Sequence, residues 1–238
     1  MQTNTYEFAN IIVRVTYRED YITRLCRDYV SEGEPELVLE ITEADVAVEN
    51  ANADREGYPY GYLESLAFYR AFCNYAVGKG ILLFHSSAIA VDGKAYLFAA
   101  PSGTGKSTHT RLWRETFGPR AVMVNDDKPL LGWVDGRLTV YGTPWNGKHR
   151  LGDKISAPVE GICFLTRGEK NSIIKLDMMT ALPELISQTF RPSEEEGVRK
   201  MLGLVMKAAA EVKLWRLACN ISPEAVKVAY EGMSGQSL

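Results

Sequence analysis

Residues 94–108 read KAYLFAAPSGTGKST, an apolar run followed by a glycine-rich segment and then by residues of helical character. The pattern Gly-x-x-x-x-Gly-Lys-Ser/Thr, here with Ala100 in the first position, predicts a phosphate-binding loop between a strand and a helix. Glycines let backbone N–H groups turn toward phosphate oxygens, and the first helical turn adds free N–H groups. The alternative is a glycine-rich turn with no ligand, which the preceding apolar strand disfavours. The residues predicted to bind nucleotide phosphates are Ser102, Gly103, Thr104, Gly105, Lys106, Ser107 and Thr108.

The residues around this motif predict an α/β fold with a mixed β-sheet. Two pairs of apolar strands are joined by Asp92-Gly93 and Asp135-Gly136, dipeptides typical of tight hairpin turns. Helical patterns separate further strands, so hairpins and crossover connections are both expected, and with them a mixed sheet. The hairpin strands are predicted at 83–91 with 94–100 and at 130–134 with 137–142, other strands at 121–125, 159–167, 171–177 and 212–219, and helices at 180–190, 193–210 and 222–233.

The N-terminal part has a different pattern, and the change comes near residue 80. Apolar and β-branched residues favour strands at 8–18 and 36–43, whereas 49–61 is polar and rich in turn-forming residues. Helical spacing of apolar residues predicts a helix over 62–80, which Gly78 and Gly80 end. The predicted organisation is a small, β-rich α+β section at 1–60 and a domain at 61–238 that carries the loop.

Composition limits the classes of partner. The chain has 238 residues and a formal net charge of −3, so no broad basic surface for nucleic acid or for a membrane is expected. The N-terminus has no basic segment followed by an apolar one, and no apolar run reaches the length of a membrane span. The four cysteines are far apart and form no Cys-x-x-Cys pair, which favours buried thiols in a reducing compartment. A cytoplasmic location is expected.

An acidic pair follows the next apolar strand. Asp126 and Asp127 come directly after AVMVN, about where the phosphoryl-transfer template requires carboxylates. Together with Ser107, one of them can hold Mg²⁺ beside the phosphates, and the other can accept the proton of an attacking hydroxyl. A polar turn at the end of a strand is the alternative without function, and the nearby phosphate-binding motif disfavours it.

Two histidines lie near the motif in sequence. His85 follows ILLF at the start of the strand pair that leads to the loop, where an imidazole can orient a carboxylate or receive a proton. A lone histidine on a strand is more often structural, and the spacing by itself favours that interpretation. His109, in the first turn of the following helix, can lie near a nucleotide without a catalytic role.

The ordered set HSSAIAVDGKAYLFAAPSGTGKST (85–108) and VMVNDDKPLL (122–131) resembles the kinase domain of HPr kinase/phosphorylase and its relatives that phosphorylate peptides. That family is similar in its phosphate loop to the ATP-dependent phosphoenolpyruvate carboxykinases. The resemblance implies a P-loop core of the HPr kinase/PEP carboxykinase type, with ATP and Mg²⁺ as cofactors. It also implies an active site of His85, Lys106, Ser107, Asp126 and Asp127, in which Asp126 holds the metal and Asp127 accepts the proton.

The segment 140–153, VYGTPWNGKHRLGD, stands where HPr kinases carry a Glu metal ligand and an Arg-Gly-Leu-Gly loop. It contains no Glu, and its Thr143–Gly147 part resembles a Pro-Trp-x-Gly signature of the shorter, peptide-kinase-like relatives. Its cations can face a phosphoryl group or an acidic substrate, and its tryptophan can stack on a base or a substrate chain. A surface loop with solvated charges and a core tryptophan is an equal alternative. The candidate residues are Trp145, Lys148, His149 and Arg150.

Two weaker candidates lie further along the chain. Arg191 can contact a phosphate, although an arginine at that position more often caps the end of a helix. The run Glu194–Glu196 can be mistaken for a metal site, but a solvated helix start is the better interpretation, because acidic residues are favourable near the positive end of the helix dipole.

The sequence therefore predicts an ATP-dependent kinase whose acceptor is a hydroxyl, with serine in a small protein or peptide preferred. A small-molecule kinase on the same scaffold, a nucleotide-binding regulatory module with little turnover, and a reversible kinase/phosphorylase are left open. A homo-oligomer is also left open, as is the role of residues 1–60.

Overall fold

The computed structural model describes residues 1–147 and 149–238, which form two compact units, Met1–Ile81 and Leu82–Leu238. Each unit has its own β-sheet and helices, so the mixed α/β class predicted from the sequence is confirmed. None of the helices in these ranges is long and apolar enough to cross a membrane.

The first unit contains a sheet in the order β1–β2–β3, formed by Gln2–Phe8, Ile11–Tyr17 and Leu37–Glu40. The first two strands are antiparallel and joined at Ala9 and Asn10, both with positive φ (48° and 64°), as a two-residue hairpin requires. The strand predicted over 8–18 is therefore wrong at its start, because it runs through this turn. Strand β1 was missed because its sequence, QTNTYEF, is largely polar on its outward face.

The helices of the first unit are α1 (Tyr21–Leu25), α2 (Glu43–Ala51) and α3 (Tyr60–Gly78). Helix α2 was not predicted, although its start carries a capping box in which Thr42 and Asp45 bond to each other's backbone N–H groups. Helix α3 confirms the helix predicted over 62–80. It contacts α1, α2 and β2, so it belongs to the first unit, which ends at Ile81. The sequence analysis had placed the boundary after residue 60 and this helix in the second domain.

A buried carboxylate fixes α3 to the end of β2. Glu64 is fully buried, and its two oxygens accept hydrogen bonds from the backbone N–H groups of Arg18 (2.6 Å) and Glu19 (2.9 Å). Arg18 and Glu19 follow the last residue of β2, so their N–H groups have no partner in the sheet and the carboxylate of Glu64 accepts their hydrogen bonds instead.

The second unit is built on a sheet with the strand order β4–β8–β9–β10–β6–β5–β7, and β12 pairs with both β10 and β11. Strand β10 is parallel to β6 and β12, whereas the other pairings are antiparallel, so the predicted mixed sheet is confirmed. The strands are β4 (Leu82–Leu83), β5 (Ser87–Val91), β6 (Lys94–Ala99), β7 (Ala121–Asn125), β8 (Leu130–Val134), β9 (Arg137–Tyr141), β10 (Ser156–Arg167), β11 (Ser172–Leu176) and β12 (Lys213–Cys219).

The helices of this unit are α4 (Lys106–Phe117), α5 (Met178–Gln188), α6 (Glu195–Glu211) and α7 (Pro223–Ser234). Helix α4 confirms the helix predicted after the loop, and the other three match predicted helices within two residues at each end. The acidic start of α6 is exposed, and Glu195 and Glu196 form ion pairs with Arg199 and Lys200 one turn later.

The hairpin that leads to the phosphate-binding motif is confirmed, but it is shorter than predicted. Strands β5 and β6 pair from Val91–Lys94 to Ser87–Phe98 across Asp92-Gly93, whose φ angles are 50° and 78°. The preceding strand β4 pairs with β8 instead, so His85 is not paired in the hairpin. Its backbone N–H donates to the carbonyl of Gln188 at 2.7 Å, in the short connection between β4 and β5.

Candidate active site

One edge of the larger sheet gathers residues that are far apart in sequence. Strands β6, β7, β10 and β12 run in the same direction, because β6 and β7 are both antiparallel to β5, while β10 is parallel to β6 and β12. Their carboxyl ends therefore lie at the same edge, together with the start of β5. The predicted loop follows β6, the acidic pair follows β7, and His85 precedes β5.

The loop between β6 and α4 has the conformation that its sequence predicts. Gly103 and Gly105 have φ angles of 77° and 121°, which side chains rarely allow, and Gly105 is the residue before the first turn of α4. A Cβ atom at either glycine would meet nothing within 4 Å, so the requirement for glycine is conformational and not steric. The free N–H groups of this turn make the loop suitable for an anion.

Lys106 is buried at the first position of α4, and its Nζ donates to the carbonyl oxygen of Ala100 at 2.8 Å, across the loop. Burial lowers the pKa of Lys106, and the charges of Asp127 and Asp126 partly oppose that shift. The ammonium group of the loop is thus within electrostatic reach of both carboxylates, and two of its three protons remain available for a ligand.

Asp126 is buried and fixed by a neighbouring strand. Its Oδ1 accepts a hydrogen bond from the hydroxyl of Ser87 at 2.6 Å, and both side chains are almost without solvent contact. Ser87 is the first residue of β5, and the sequence analysis did not select it. A serine at a strand start carries no signal of its own; the pairing of β5 with β7 brings it to Asp126.

Asp127 lies between the side chains of His85 and Lys128. Its Oδ1 is 3.3 Å from Nε2 of His85, and its Oδ2 accepts from Nζ of Lys128 at 2.6 Å. Burial would raise the pKa of Asp127, but the hydrogen bond with His85 and the charge of Lys128 oppose it and lower the pKa to about 2. The carboxylate is therefore ionised at neutral pH. The predicted proximity of His85 to this acid is present, whereas Lys128 was not predicted.

A buried amide holds the turn that carries both acids. The Oδ1 of Asn125 accepts from the backbone N–H groups of Asp127 (2.8 Å) and Lys128 (2.7 Å), and its Nδ2 donates to the hydroxyl and carbonyl of Thr143. The hydroxyl of Thr143 in turn donates to the carbonyl of Lys128 at 2.8 Å. The polar last residue of the apolar run AVMVN was the available signal for this role.

Replacing Asn125 with alanine is expected to lower the free energy of unfolding of the second unit by about 2–3 kcal/mol, because two half-buried backbone N–H groups lose their partner. All four tryptophans lie in this unit, so urea denaturation followed by tryptophan fluorescence measures its unfolding. Asn50→Ala, an exposed position in the first unit, is the matched control. A variant Asn125→Ala that unfolds at the wild-type urea concentration would show that the amide does not support the turn.

The segment 142–153 packs against this turn. A Cβ at Gly142 would lie 1.9 Å from the carbonyl oxygen of Asp153 and 2.8 Å from that of Val124, so no side chain fits there. Gly147 lies against the acids, since its Cβ would be 3.4 Å from Cβ of Asp127. Trp145 is buried (5% exposed), which supports the core alternative for this residue.

The structure describes two of the three basic residues predicted in this segment, His149 and Arg150. His149 and Arg150 are exposed, and neither forms a hydrogen bond or ion pair with another described residue. Lys148 lies outside the described residues. Arg191 is exposed after α5, so the structure does not bring it together with the loop through any bond between described residues.

His109 has a structural position. It is 3% exposed, its Nε2 accepts from Nε1 of Trp113 at 2.9 Å, and its ring packs edge-on against Phe98 at 4.6 Å. Burial lowers its pKa to about 4, so the imidazole is neutral at physiological pH. It supports the first turn of α4 from beneath.

The donor set near the loop suits Mg²⁺. Ser107 offers an exposed hydroxyl at the second position of α4, and Asp126 uses Oδ1 for Ser87 and keeps Oδ2 without a hydrogen bond to any described residue. Hydroxyl and carboxylate oxygens are ligands that Mg²⁺ prefers, with phosphate oxygens and water completing its shell. The residues present therefore fit this metal.

Comparisons with known proteins find similarity in structure and none in sequence. No protein-family model matches the chain, and a search of curated protein sequences found no match. Among solved structures, the chain is similar to the HPr(Ser) kinase/phosphatase from Coxiella burnetii. The match has a TM-score of 0.36 and 11% sequence identity, and it covers 64% of this chain and 93% of that chain. It is a similarity of structure, and the sequence identity is too low to carry residue roles from one protein to the other.

Proposed function

We propose that this chain is an ATP-dependent phosphotransferase that transfers the terminal phosphoryl group to a hydroxyl, with a serine of a small protein or peptide as the preferred acceptor. One observation carries the proposal. The loop that carries Lys106, the pair Asp126-Asp127 and His85 lie at the same end of the sheet, and Asp127 contacts His85, although Lys106 is 21 and His85 is 42 residues from Asp127 along the chain. This is the combination that phosphoryl transfer uses: a phosphate cradle, a metal-binding acid and a group that orients the acceptor.

The loop and Lys106 would bind and neutralise the phosphate chain. One proton of Nζ is donated to the carbonyl of Ala100, which keeps the ammonium inside the loop. Because Lys106 is buried, its charge is poorly screened, and it stabilises negative charge on the transferring group more than an exposed lysine would.

Asp127 would orient the acceptor hydroxyl and take its proton. A carboxylate with a pKa near 2 is a weak base, but a loose phosphoryl-transfer transition state needs little proton removal before the new bond forms. Its main task is then to accept a hydrogen bond from the hydroxyl and aim an oxygen lone pair at phosphorus. His85 and Lys128 hold the carboxylate in place, and the imidazole offers a route by which the proton leaves.

Ser107 and Asp126 would hold Mg²⁺. The metal supplies charge neutralisation at the phosphate oxygens when it is bound. The hydrogen bond from Ser87 to Oδ1 would hold the side chain of Asp126 in one rotamer. Its second oxygen, Oδ2, would then be oriented before the metal binds.

The preference for a peptide or protein acceptor is supported by the Thr143–Gly147 resemblance and by an exposed cation beside it. Arg150 is exposed three residues after Gly147, which lies against Asp127, so a positively charged surface would adjoin the group that orients the acceptor. An acceptor with acidic residues near its serine is favoured by such a surface.

The test is transfer of label from γ-labelled ATP in the presence of Mg²⁺ to serine peptides, HPr, free serine and small metabolites. Label on a peptide or protein serine supports the proposal in full. Label on free serine or a metabolite replaces the acceptor with a small molecule and leaves the phosphotransferase intact. ATP binding without transfer to any of these acceptors would favour a nucleotide-binding regulatory module. Addition of inorganic phosphate to labelled product tests for the reverse reaction.

A further inference from the structure

A cavity of about 710 Å³ opens beside the phosphate loop, on the side away from the acidic pair. Loop residues and α4 form one wall, and the ends of β10 and β12 form the other. The volume is within the range of small-molecule sites. None of the residues assigned a role in acceptor chemistry lines it. The walls include Gly103, Thr108, Leu165, Arg167, Glu169 and Ile221.

The interior of the cavity is predominantly apolar. Leu112 and Leu165 are nearly buried in its walls, while Ile221 at its rim is 76% exposed. Ile221 therefore offers an exposed apolar surface at the rim of this cavity, which a bound apolar group would cover.

Two charged side chains lie where β10 ends. Arg167 donates from Nη2 to the carbonyl oxygen of Gly103 at 2.7 Å, so it is attached to the phosphate loop itself. It makes no ion pair with any carboxylate of the described residues, and most of its N–H donors are unused. Glu169 lines the same cavity two residues further on.

We propose that this cavity binds the nucleoside part of the nucleotide and that Arg167 bridges the loop and the phosphate nearest the sugar. The inference rests on the proposed function, since it assumes a nucleotide whose phosphates occupy the loop. The apolar walls suit the faces of a base. Guanidinium groups bind phosphate oxygens through paired N–H donors, and one of these donors already fixes the loop. The carboxylate of Glu169 suits sugar hydroxyls, which can donate to it.

The division of the site follows from the strand order. The loop follows β6, which lies between β10 and β5. Arg167 and the cavity are on the β10 side, while Ser87 and the acidic pair are on the β5 and β7 side. The nucleoside and the acceptor would therefore approach the phosphates from opposite sides of β6.

The experiment measures equilibrium binding of ATP and of inorganic tripolyphosphate, each with Mg²⁺, by calorimetry. Wild type is expected to bind ATP at least about tenfold more tightly than tripolyphosphate, because the latter has no base to bury. Ile221→Glu is expected to remove most of that difference and to leave tripolyphosphate binding unchanged. Arg167→Ala is expected to weaken both ligands by about tenfold to a hundredfold, the range for hydrogen bonds to charged groups. Lys170→Ala, an exposed cation three residues after Arg167 that does not line the cavity, is the matched control.

The results distinguish failure of the proposed function from failure of the nucleoside site. If wild type binds neither ligand, the proposed function itself is contradicted. If wild type binds ATP but Ile221→Glu and Arg167→Ala both bind it as wild type does, the nucleotide is bound and the cavity is not its nucleoside site. Equal affinity of wild type for ATP and tripolyphosphate also overturns the inference. Because both positions are exposed, neither substitution is expected to prevent folding.

Discussion

Phosphoryl transfer by Lys106→Ala is expected to be about a thousandfold slower than by wild type, the upper range for loss of one preorganised stabilising group. The ammonium is buried and held across the loop by Ala100, so its charge acts at short range and with little screening. Alanine leaves the loop glycines in place but removes the charge that the transferring group would contact. The measurement is the initial rate of transfer from labelled ATP to whichever acceptor the panel identifies.

The controls for this variant address charge and folding. Lys94→Ala removes a lysine at the start of β6, the strand before the loop, where it pairs with Glu160, and its rate should stay within a factor of two of wild type. Lys106→Met retains most of the buried stem and should be as inactive as Lys106→Ala. A methionine variant with near-wild-type turnover would mean that the charge of Lys106 is not used in the reaction.

Asp127→Asn is expected to lower the transfer rate by about 10²- to 10⁴-fold while ATP affinity stays near the wild-type value. The amide keeps the size of the side chain, but it cannot accept a proton from the hydroxyl and no longer neutralises Lys128. Because Asp127 faces the acceptor in the proposed arrangement and not the phosphates, nucleotide binding should be largely unaffected. Rates and dissociation constants measured on the same preparation test both halves of the prediction.

Asp153→Asn is the matched substitution, since Asp153 is exposed in the segment 142–153 and forms no side-chain hydrogen bond with a described residue. It should retain wild-type rate and affinity. If Asp127→Asn weakens ATP binding by the same factor as it slows transfer, Asp127 contributes to nucleotide binding and its role as the proton acceptor is contradicted.

The sequence was sufficient for the parts of the site that one short segment specifies. The loop around Gly103 and Gly105 depends on local backbone conformation and on the adjacent helix start, which are both encoded within ten residues. The strands and helices of the second unit were equally accessible, because apolar runs and helical spacing alternate clearly there. The proximity of His85 to Asp127 was expected from a family resemblance and not from spacing.

The supporting residues could not be predicted because they act across the sheet. Ser87 meets Asp126 over a separation of 39 residues, and Arg167 meets Gly103 over 64. Such pairs depend on strand order and register, which a single sequence does not specify for a mixed sheet. In the first unit, the strand β1 and the short helix α2 were missed because the apolar pattern of each is weak. The hairpin turn after β1 and the capping box of α2 were the signals that could have identified them.

The position of β6 has a consequence for synthesis of the chain. Tyr96 on β6 pairs with Gly161 on β10, whereas the other side of β6 is covered at once by its hairpin partner β5. At usual translation rates, several seconds separate the appearance of these two strands. During that time the almost wholly buried, apolar residues of β6 have an open hydrogen-bonding edge, which is a known route to misassembly. The strand that precedes the glycine-rich loop is therefore open to misassembly until β10 has been synthesised.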